Sequence, residues 1–137
     1  MSSLVLDASV ALCWLFDDQA TAHTESLLDR LVAGDTVAAP SIWPFEIANV
    51  VTVAERRRIV HPAQAAAFFQ TLGQLSIAVD RAEIERIFNA VSETARRYRL
   101  SAYDAAYLEL ALREALPLAT ADAALRNAAR AAGVGVV

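Results

Sequence analysis

The stretch Leu4-Val5-Leu6-Asp7-Ala8-Ser9, near the start of the chain, indicates the type of fold. Three large aliphatic residues in a row are typical of a strand buried on both faces, such as a central strand of a parallel α/β sheet. Such sheets bind ligands at the carboxyl ends of their strands, and Asp7 follows the predicted strand directly. Asp7 is therefore a candidate site residue. The alternative is that Asp7 or Ser9 only caps the following helix, because both residue types are favoured N-caps.

The composition limits the class of protein. The chain has 137 residues, of which 56% are hydrophobic, and this predicts one globular, helix-rich domain with a substantial core. No apolar run approaches the ~20 residues that a membrane span needs. The N-terminal apolar segment has no basic region before it and is interrupted by Asp7, so we expect no signal peptide, no membrane partner and a cytoplasmic location. The single cysteine, Cys13, cannot form an internal disulfide and is expected to be an inert buried thiol.

The charged residues exclude several function classes. A net charge of -4 argues against a general DNA-coating protein, since such proteins carry a basic surface. All 12 basic residues are Arg, and a chain without Lys cannot support a Schiff base, a P-loop or the lysine-dependent switch of a receiver domain. The four glycines are isolated, so no glycine-rich phosphate loop exists. Neither His23 nor His61 has metal-ligand spacing to another candidate.

Hydrophobic periodicity and turn residues predict alternating strands and helices. Strands are expected at residues 4–6, 36–39, 76–79, 117–120 and 134–137. Helices are expected at residues 9–16, 20–33, 41–57, 61–72, 80–97, 101–114 and 122–131, with Asp80 and Glu83 as a relative of the capping box. The helix at 41–57 is expected to be packed on nearly every side. This order predicts a single α/β domain over residues 1–137, a three-layer α/β/α sandwich with a parallel sheet of about five strands.

Four of the sixteen acids lie where a solvated helix face does not explain them. Asp7 and Asp122 follow directly on predicted strands, whereas Glu46 and Asp104 lie in the first turns of helices that are apolar on most sides. Each has another explanation: an Arg elsewhere could pair with Glu46, and the other acids could only serve helix N-termini. One shared site accounts for all four positions more simply than four separate explanations do.

A shared site of this kind indicates its own chemistry. Two unit charges ~4 Å apart repel by roughly 4 kcal/mol at an effective dielectric of ~20, so four carboxylates together must take up protons or bind a cation. Oxygen ligands without a Cys or His set select Mg²⁺ or Mn²⁺ rather than Zn²⁺. Mg²⁺ often shares its site with a phosphate, and phosphodiester hydrolysis is the chemistry that follows. A phosphatase of the haloacid-dehalogenase type would need a second Asp two residues after Asp7, where Ser9 stands instead.

Four segments follow one another along the chain: LVLDASV at 4–10, PFEIANV at 44–50, LSAYDAAYLELA at 100–111 and LATADAAL at 118–125. In this order and spacing they resemble PIN-domain ribonucleases, and most closely the VapC toxins of bacterial type II toxin–antitoxin pairs. The resemblance covers essentially the whole chain.

The resemblance implies a fold, a reaction and a set of site residues. The fold is an α/β/α sandwich with the first strand at the centre of the sheet. The reaction is endonucleolytic cleavage of RNA, often tRNA or ribosomal RNA, with Mg²⁺ or Mn²⁺ as the cofactor. The residues implied to bind the metal and to be catalytic are Asp7, Glu46, Asp104 and Asp122. Those implied to support them through hydrogen bonds are Ser9, Asn49 and Thr120.

The resemblance also implies partners and leaves questions open. Relatives usually form homodimers and are held inactive by a cognate antitoxin. Some relatives carry a further acid a few residues after the position of Asp122, where Asn127 is the nearest polar residue here, so the number of metal ions stays open. The alternative function is a catalytically inactive PIN-like scaffold that binds RNA or a protein partner.

Two arginine clusters and the aromatic residues have two interpretations each. The clusters, Arg56–Arg58 and Arg96, Arg97 and Arg99, either contact RNA phosphates or antitoxin acids, or are ordinary solvated helix ends. The aromatic side chains are more often core residues, but one subset is expected to face a dimer mate or an antitoxin helix; they are Trp14, Phe16, Trp43, Phe45, Phe68 and Phe69.

Overall fold

A parallel sheet lies at the centre of the computed structural model, which describes residues 1–137. Its strands are β1 (Val5–Leu6), β2 (Val37–Ala39), β3 (Ile77–Val79) and β4 (Leu118–Ala119). The strand order is β3-β2-β1-β4, and every pairing is parallel. β1 therefore has a strand on each side, and the central position predicted for residues 4–6 is confirmed.

Seven helices flank this sheet, and the predicted α/β sandwich is confirmed. They are α1 (Ala8–Leu12), α2 (Ala22–Val32), α3 (Trp43–Arg56), α4 (Pro62–Gln74), α5 (Ile84–Arg86, continued by a π-helical segment Ile87–Val91 and by Ser92–Tyr98), α6 (Ala102–Glu114) and α7 (Ala123–Ala131). A short 3₁₀ turn, Asp17–Gln19, joins α1 to α2. None of the helices has the length and apolar character needed to span a membrane.

The main core packs around β1 and α6. Val5 and Leu6 are fully buried, as expected for a strand between two layers of helices. From α6, Tyr107 and Leu108 are also completely buried, and both belong to one cluster of 29 buried apolar residues. The first strand and the sixth helix are therefore held rigidly against each other, and both lead into predicted site residues.

The predicted fifth strand at 134–137 is reduced to a single bridge. Val136 lies opposite Leu118 in parallel register. The Leu118 N–H donates to the Gly135 carbonyl at 2.8 Å, and the Val137 N–H donates to the Leu118 carbonyl at 3.0 Å. β4 itself has only two residues, so there is no longer strand for this segment to follow.

The start of α5 differs from the prediction. The helix begins at Ile84 rather than near Asp80, and Glu83 occupies the N-cap position without a side-chain hydrogen bond. The Asp80 carboxylate instead binds Arg113 Nη2 at 2.8 Å and Arg86 Nη1 at 3.2 Å. The capping prediction was wrong because a partner 33 residues away competes successfully for the carboxylate.

The prediction that α3 is packed on nearly every side was also wrong. Its buried residues form one stripe, Trp43, Ile47, Val51 and Ala54. Phe45 lies outside that stripe and is 74% exposed. The helix is therefore buried on one side only, and an apolar side chain remains at the surface.

An arginine-centred network stabilises the junction of α6 with β3. Arg113 Nε lies 2.9 Å from Glu109 Oε1, and the same guanidinium binds Asp80. Glu109 is only 8% exposed, so its charge needs this partner. By contrast, the pair of Arg30 with Asp35 has both side chains 42% exposed.

These two ion pairs should differ in their effect on stability. We expect Arg113→Met to lower the free energy of unfolding by about 1–3 kcal/mol, because it leaves the Glu109 charge unpaired at a nearly buried position. Arg30→Met should cost at most about 0.5 kcal/mol, since exposed pairs contribute little. Urea unfolding of both variants at neutral pH measures the difference. Equal small losses would contradict the proposed role of the network.

Candidate active site

Asp7 lies at the carboxyl end of β1 and is 5% exposed. It occupies the N-cap position of α1, but its side chain accepts no capping hydrogen bond. Instead, Asp7 Oδ2 accepts hydrogen bonds from Ser9 Oγ and Thr120 Oγ1, each at 2.7 Å. The alternative that Asp7 only caps the helix is therefore wrong. Two of the three residues expected to support the site contact this carboxylate directly.

The two hydroxyls are themselves oriented by the backbone after β4. Ser9 Oγ accepts the Ala121 N–H at 2.9 Å, and Thr120 Oγ1 accepts the Asp122 N–H at 3.0 Å. A hydroxyl that accepts from the backbone can direct its single proton at the carboxylate. Asp7 is thus fixed by groups from both ends of the chain.

The other oxygen of Asp7 is available for a ligand. Asp7 Oδ1 accepts no hydrogen bond from the protein. Trp43 Nε1 is the only side-chain nitrogen or oxygen atom that is both buried and without a hydrogen-bond partner. Asp7 Oδ1, which also has no hydrogen-bond partner, is therefore accessible to solvent. One oxygen of Asp7 is therefore anchored and the other remains open.

Glu46, in the first turn of α3, is half-buried and has no cationic partner. Its Oε1 accepts a hydrogen bond of 2.6 Å from the hydroxyl of Tyr107 in α6. None of the five ion pairs in the protein includes Glu46, so the alternative of a partner Arg is wrong.

Asp104 and Asp122 relate differently to the helices that they begin. Ser101 Oγ accepts the Asp104 N–H at 3.1 Å, so Ser101 caps α6, and the Asp104 carboxylate itself makes no hydrogen bond. Asp122 is the N-cap of α7, and its Oδ2 accepts the Leu125 N–H at 3.0 Å. Helix capping thus occupies one carboxylate oxygen of Asp122, whereas neither carboxylate oxygen of Asp104 takes part in capping.

Asn49 is not brought into contact with the four acids. It lies one turn after Glu46 in α3, but its side chain is exposed and makes no hydrogen bond. Its supporting role stays a prediction. Asn127, the polar residue nearest to a possible second metal position, is exposed in the same way.

The four carboxylates influence one another electrostatically. Burial raises the pKa of Glu46, and the charges of Asp7 and Asp104 raise it further, against the lowering effect of the Tyr107 hydrogen bond. Burial also raises the pKa of Asp104, and the charges of Asp122 and Asp7 add to the effect. Glu46 and Asp104 are therefore each near enough to two other acids of the set for those charges to raise their pKa.

The donor set fits a hard divalent cation that keeps part of its water shell. No three acidic, histidine or cysteine side chains lie close enough to hold a metal ion directly, so the site is not a closed protein cage. Mg²⁺ rarely needs such a cage, because it usually binds one or two carboxylates together with waters and a phosphate. Each of the four acids retains an oxygen without a protein partner. Softer ligands do not compete, since His61 caps α4 through Nδ1 and burial raises the pKa of the Cys13 thiol.

Two residues near the site were missed by sequence reasoning. Tyr107 lies three residues after Asp104, a spacing that places both on the same side of α6 and could have indicated its role. Arg126 lies four residues after Asp122, and its Nη2 donates to the Thr120 carbonyl at 2.9 Å. Its only signal was its helical spacing from Asp122.

The fold of this chain is similar to that of several proteins of known structure. The solved structures that match include PAE2754 from Pyrobaculum aerophilum, at 22% identity and a TM-score of 0.69, covering 99% of this chain and 91% of that one. FitAcB from Neisseria gonorrhoeae matches at 20% identity and a TM-score of 0.65, with 97% and 95% of the two chains covered. The structure of VapBC2 from Rickettsia felis, in which the proteins are bound to a DNA fragment from their promoter, matches at 13% identity and a TM-score of 0.68. The match covers 98% of this chain and 96% of that one.

These identities are low enough that the structural likeness shows the fold alone. No curated protein matches the sequence. The sequence model of the PIN domain, however, matches residues 4–131, which is nearly the whole chain and includes all four acids. The chain therefore belongs to the PIN-domain family.

Proposed function

We propose that this protein is a Mg²⁺- or Mn²⁺-dependent endoribonuclease that acts as the toxin of a toxin–antitoxin pair. PIN domains are generally nucleases, which supports a hydrolase. The observation that carries the proposal is the contrast between two sets of acids. Asp80 and Glu109 are neutralised by Arg113, whereas Asp7, Glu46, Asp104 and Asp122 share a region without any cationic side chain paired to them. A bound cation is the missing partner.

The four acids would hold the ion partly through its bound waters, and they differ in the hydrogen bonds that orient their carboxylates. Asp7 is oriented by two hydroxyls, Glu46 by one phenol and Asp122 by its helix, whereas the Asp104 carboxylate accepts no hydrogen bond from the protein. When bound, Mg²⁺ or Mn²⁺ would lower the pKa of a water and neutralise charge on a phosphodiester. Ser9 and Thr120 keep Asp7 in one orientation, so the ion would meet a preformed oxygen.

The proposed substrate is RNA, with tRNA and ribosomal RNA as the first candidates from the family resemblance. The two arginine clusters support a polyanionic substrate. Arg56, Arg57 and Arg58 follow or end α3, and Arg96, Arg97 and Arg99 lie at the end of α5. All six are exposed and none takes part in an ion pair, so their guanidinium groups are available to phosphates.

The proposed regulatory partner is a cognate antitoxin. Two of the structural neighbours, FitAcB and VapBC2, support this proposal through their likeness over almost the full length of this chain. An inactive scaffold that binds RNA or protein remains the second candidate, and it is favoured only by the missing acid at Asn127.

We further propose a homodimer that uses one apolar face. We assign to this apolar face five exposed large side chains of α3, α5 and α6: Phe45 at 74% exposure, Ile84 at 70%, Ile87 at 36%, Phe88 at 69% and Tyr103 at 62%. Three of them line a hollow of about 290 Å³. Ile84 and Phe88 lie four residues apart, on the same side of α5.

The size and charge of the apolar face suit a second copy of the chain. The five side chains expose roughly 500–600 Å² of apolar surface, against about 800 Å² per partner in a typical stable interface. Asp80 and Glu109 also line the hollow, but both already form ion pairs with Arg113. A second copy that covers them would therefore leave no unpaired charge in the interface. Phe45 precedes Glu46 and Tyr103 precedes Asp104, so this face borders the proposed metal site.

Cleavage should depend on both the ion and the four acids. We expect discrete fragments when the protein is incubated with total bacterial RNA and Mn²⁺ or Mg²⁺, and none in excess EDTA. Asp7→Asn and Asp104→Asn should lower the rate by at least about 100-fold, since even supporting residues of metal sites contribute 10- to 100-fold. Asp18→Asn, which changes an exposed acid in the 3₁₀ turn, is the matched control and should cleave normally. Full activity in EDTA would refute the proposal, and RNA binding by folded protein without cleavage would favour the scaffold.

The raised carboxyl pKa values should make the metal-free protein less stable at neutral pH. The folded chain binds protons at Glu46 and Asp104 more readily than the unfolded chain does. Their contribution to stability is therefore present below the ordinary carboxyl pKa and is lost as the pH rises through the raised values. In EDTA, Asp104→Asn should melt at a higher temperature than the wild type at pH 7, whereas saturating Mn²⁺ should stabilise the wild type more. Melting curves between about pH 4 and pH 8 test this, and identical pH profiles for the two proteins would contradict it.

Dimer formation should depend on the apolar face. We expect the wild-type protein to sediment at twice the mass of one chain and Phe88→Glu to sediment as a monomer, because the variant buries an unpaired charge in the interface. Phe69→Glu, which changes a 40% exposed side chain on α4, is the matched control and should remain dimeric. A monomeric wild type would overturn the dimer and leave this face to a different protein partner.

A further inference from the structure

The hydroxyl of Tyr107 joins three parts of the candidate active site. It donates to Glu46 Oε1 at 2.6 Å and accepts the Ala8 N–H at 3.3 Å. Glu46 belongs to α3, Tyr107 belongs to α6, and Ala8 begins α1 directly after Asp7. One atom thus relates the carboxylate of Glu46 to the backbone that carries Asp7.

The hydrogen-bond pattern gives this contact a direction. A phenol has a single proton, and the Ala8 N–H already occupies an acceptor position on its oxygen. The proton is therefore available to Glu46, and an O–H···O⁻ bond of this length is among the strong ones. Glu46 Oε1 is occupied by this hydrogen bond, so Glu46 Oε2 is the oxygen that remains available to an ion.

The rest of Tyr107 cannot readily move. The residue is completely buried and belongs to the cluster of 29 buried apolar residues that forms the main core. Asp104 lies three residues earlier on the same side of that helix. The core therefore sets where the hydroxyl lies, and the hydroxyl in turn sets where Glu46 lies.

We propose that Tyr107 is a positioning residue of the metal site, which presents one chosen oxygen of Glu46 to the ion and holds it in register with Asp7. This inference rests on the proposed metal-dependent function. Nothing in the Tyr107 contacts requires the phenol to touch the ion or the substrate, so its effect acts through Glu46.

A purely structural role is the competing explanation. The Ala8 N–H is one of the unpaired donors at the start of α1, and Tyr107 could serve only to satisfy it. A structural role would change stability but not the affinity of the folded protein for an ion. It would also act independently of Glu46.

Calorimetric titration with Mn²⁺ separates the two roles. We expect Tyr107→Phe to weaken Mn²⁺ binding at least tenfold, as loss of an orienting partner does at other metal sites. The same substitution should cause no further loss in a Glu46→Gln background, because the carboxylate through which it acts is gone. Tyr98→Phe is the matched control, since it removes a phenolic hydroxyl that bonds none of the four acids, and its affinity should equal that of the wild type.

Two further variants at position 107 retain the volume of tyrosine should Tyr107→Phe fail to fold. Replacement of Tyr107 by 4-aminophenylalanine keeps a donor toward Glu46 and should preserve Mn²⁺ affinity. Replacement by 4-methylphenylalanine fills the same space without a donor and should bind Mn²⁺ as weakly as Tyr107→Phe.

Each outcome has a distinct meaning. Unchanged Mn²⁺ affinity in folded Tyr107→Phe, or an equal loss with and without the Glu46 carboxylate, would overturn the positioning role alone. Absence of Mn²⁺ binding by the wild-type protein would overturn the proposed metal site and, with it, this inference.

Discussion

The register between β1 and β4 is the constraint on which the candidate site depends. Leu6 pairs with Ala119, and the Asp7 N–H donates to the Ala119 carbonyl at 2.9 Å. This pairing places Thr120 beside Asp7, where its hydroxyl reaches the carboxylate. A shift of one residue would turn Thr120 to the opposite face of the sheet, and Asp7 would lose a partner at a position that is 5% exposed. The cost of a buried, unsatisfied carboxylate thus links the sheet geometry to the site chemistry.

Two groups of acids in this protein differ in whether arginine neutralises them. Glu109 and Asp80 are paired with arginines, and their network stabilises the fold. Asp7, Glu46, Asp104 and Asp122 receive hydroxyl and backbone hydrogen bonds, or none, and no cation. Acids left without counter-charges destabilise the metal-free protein, and such local conflicts are typical of functional sites. The contrast within one small domain makes it meaningful that none of the four acids forms an ion pair.

Helix α6 carries both groups on different sides. Ser101 begins the helix, and Asp104 and Tyr107 share the side that meets the proposed metal site. Glu109 and Arg113, four residues apart, share another side and bind the segment after β3. Because the same rigid helix connects the stabilising network and the site, the position of Tyr107 is set by core packing and not by a flexible loop.

The sequence alone determined most of the secondary structure and the four candidate acids. Hydrophobic periodicity is a local property, so the central strand and the seven helices could be predicted without the fold. The acids were recognisable for the same reason, since an apolar environment along a helix or after a strand is visible in the sequence.

Only the tertiary structure decided which partner each polar group has and which apolar faces are covered. The contacts that bring distant parts of the chain together at the site, such as Tyr107 with Glu46 and Thr120 with Asp7, join residues 61 to 113 positions apart, and periodicity carries no information about such pairs. The same limitation explains the errors at Asp80, whose arginine partner lies 33 residues away, and at α3, whose apolar residue Phe45 proved to be exposed. A pattern shows which residues share a side of a helix, but only the packing of the whole chain decides whether that side meets protein or solvent.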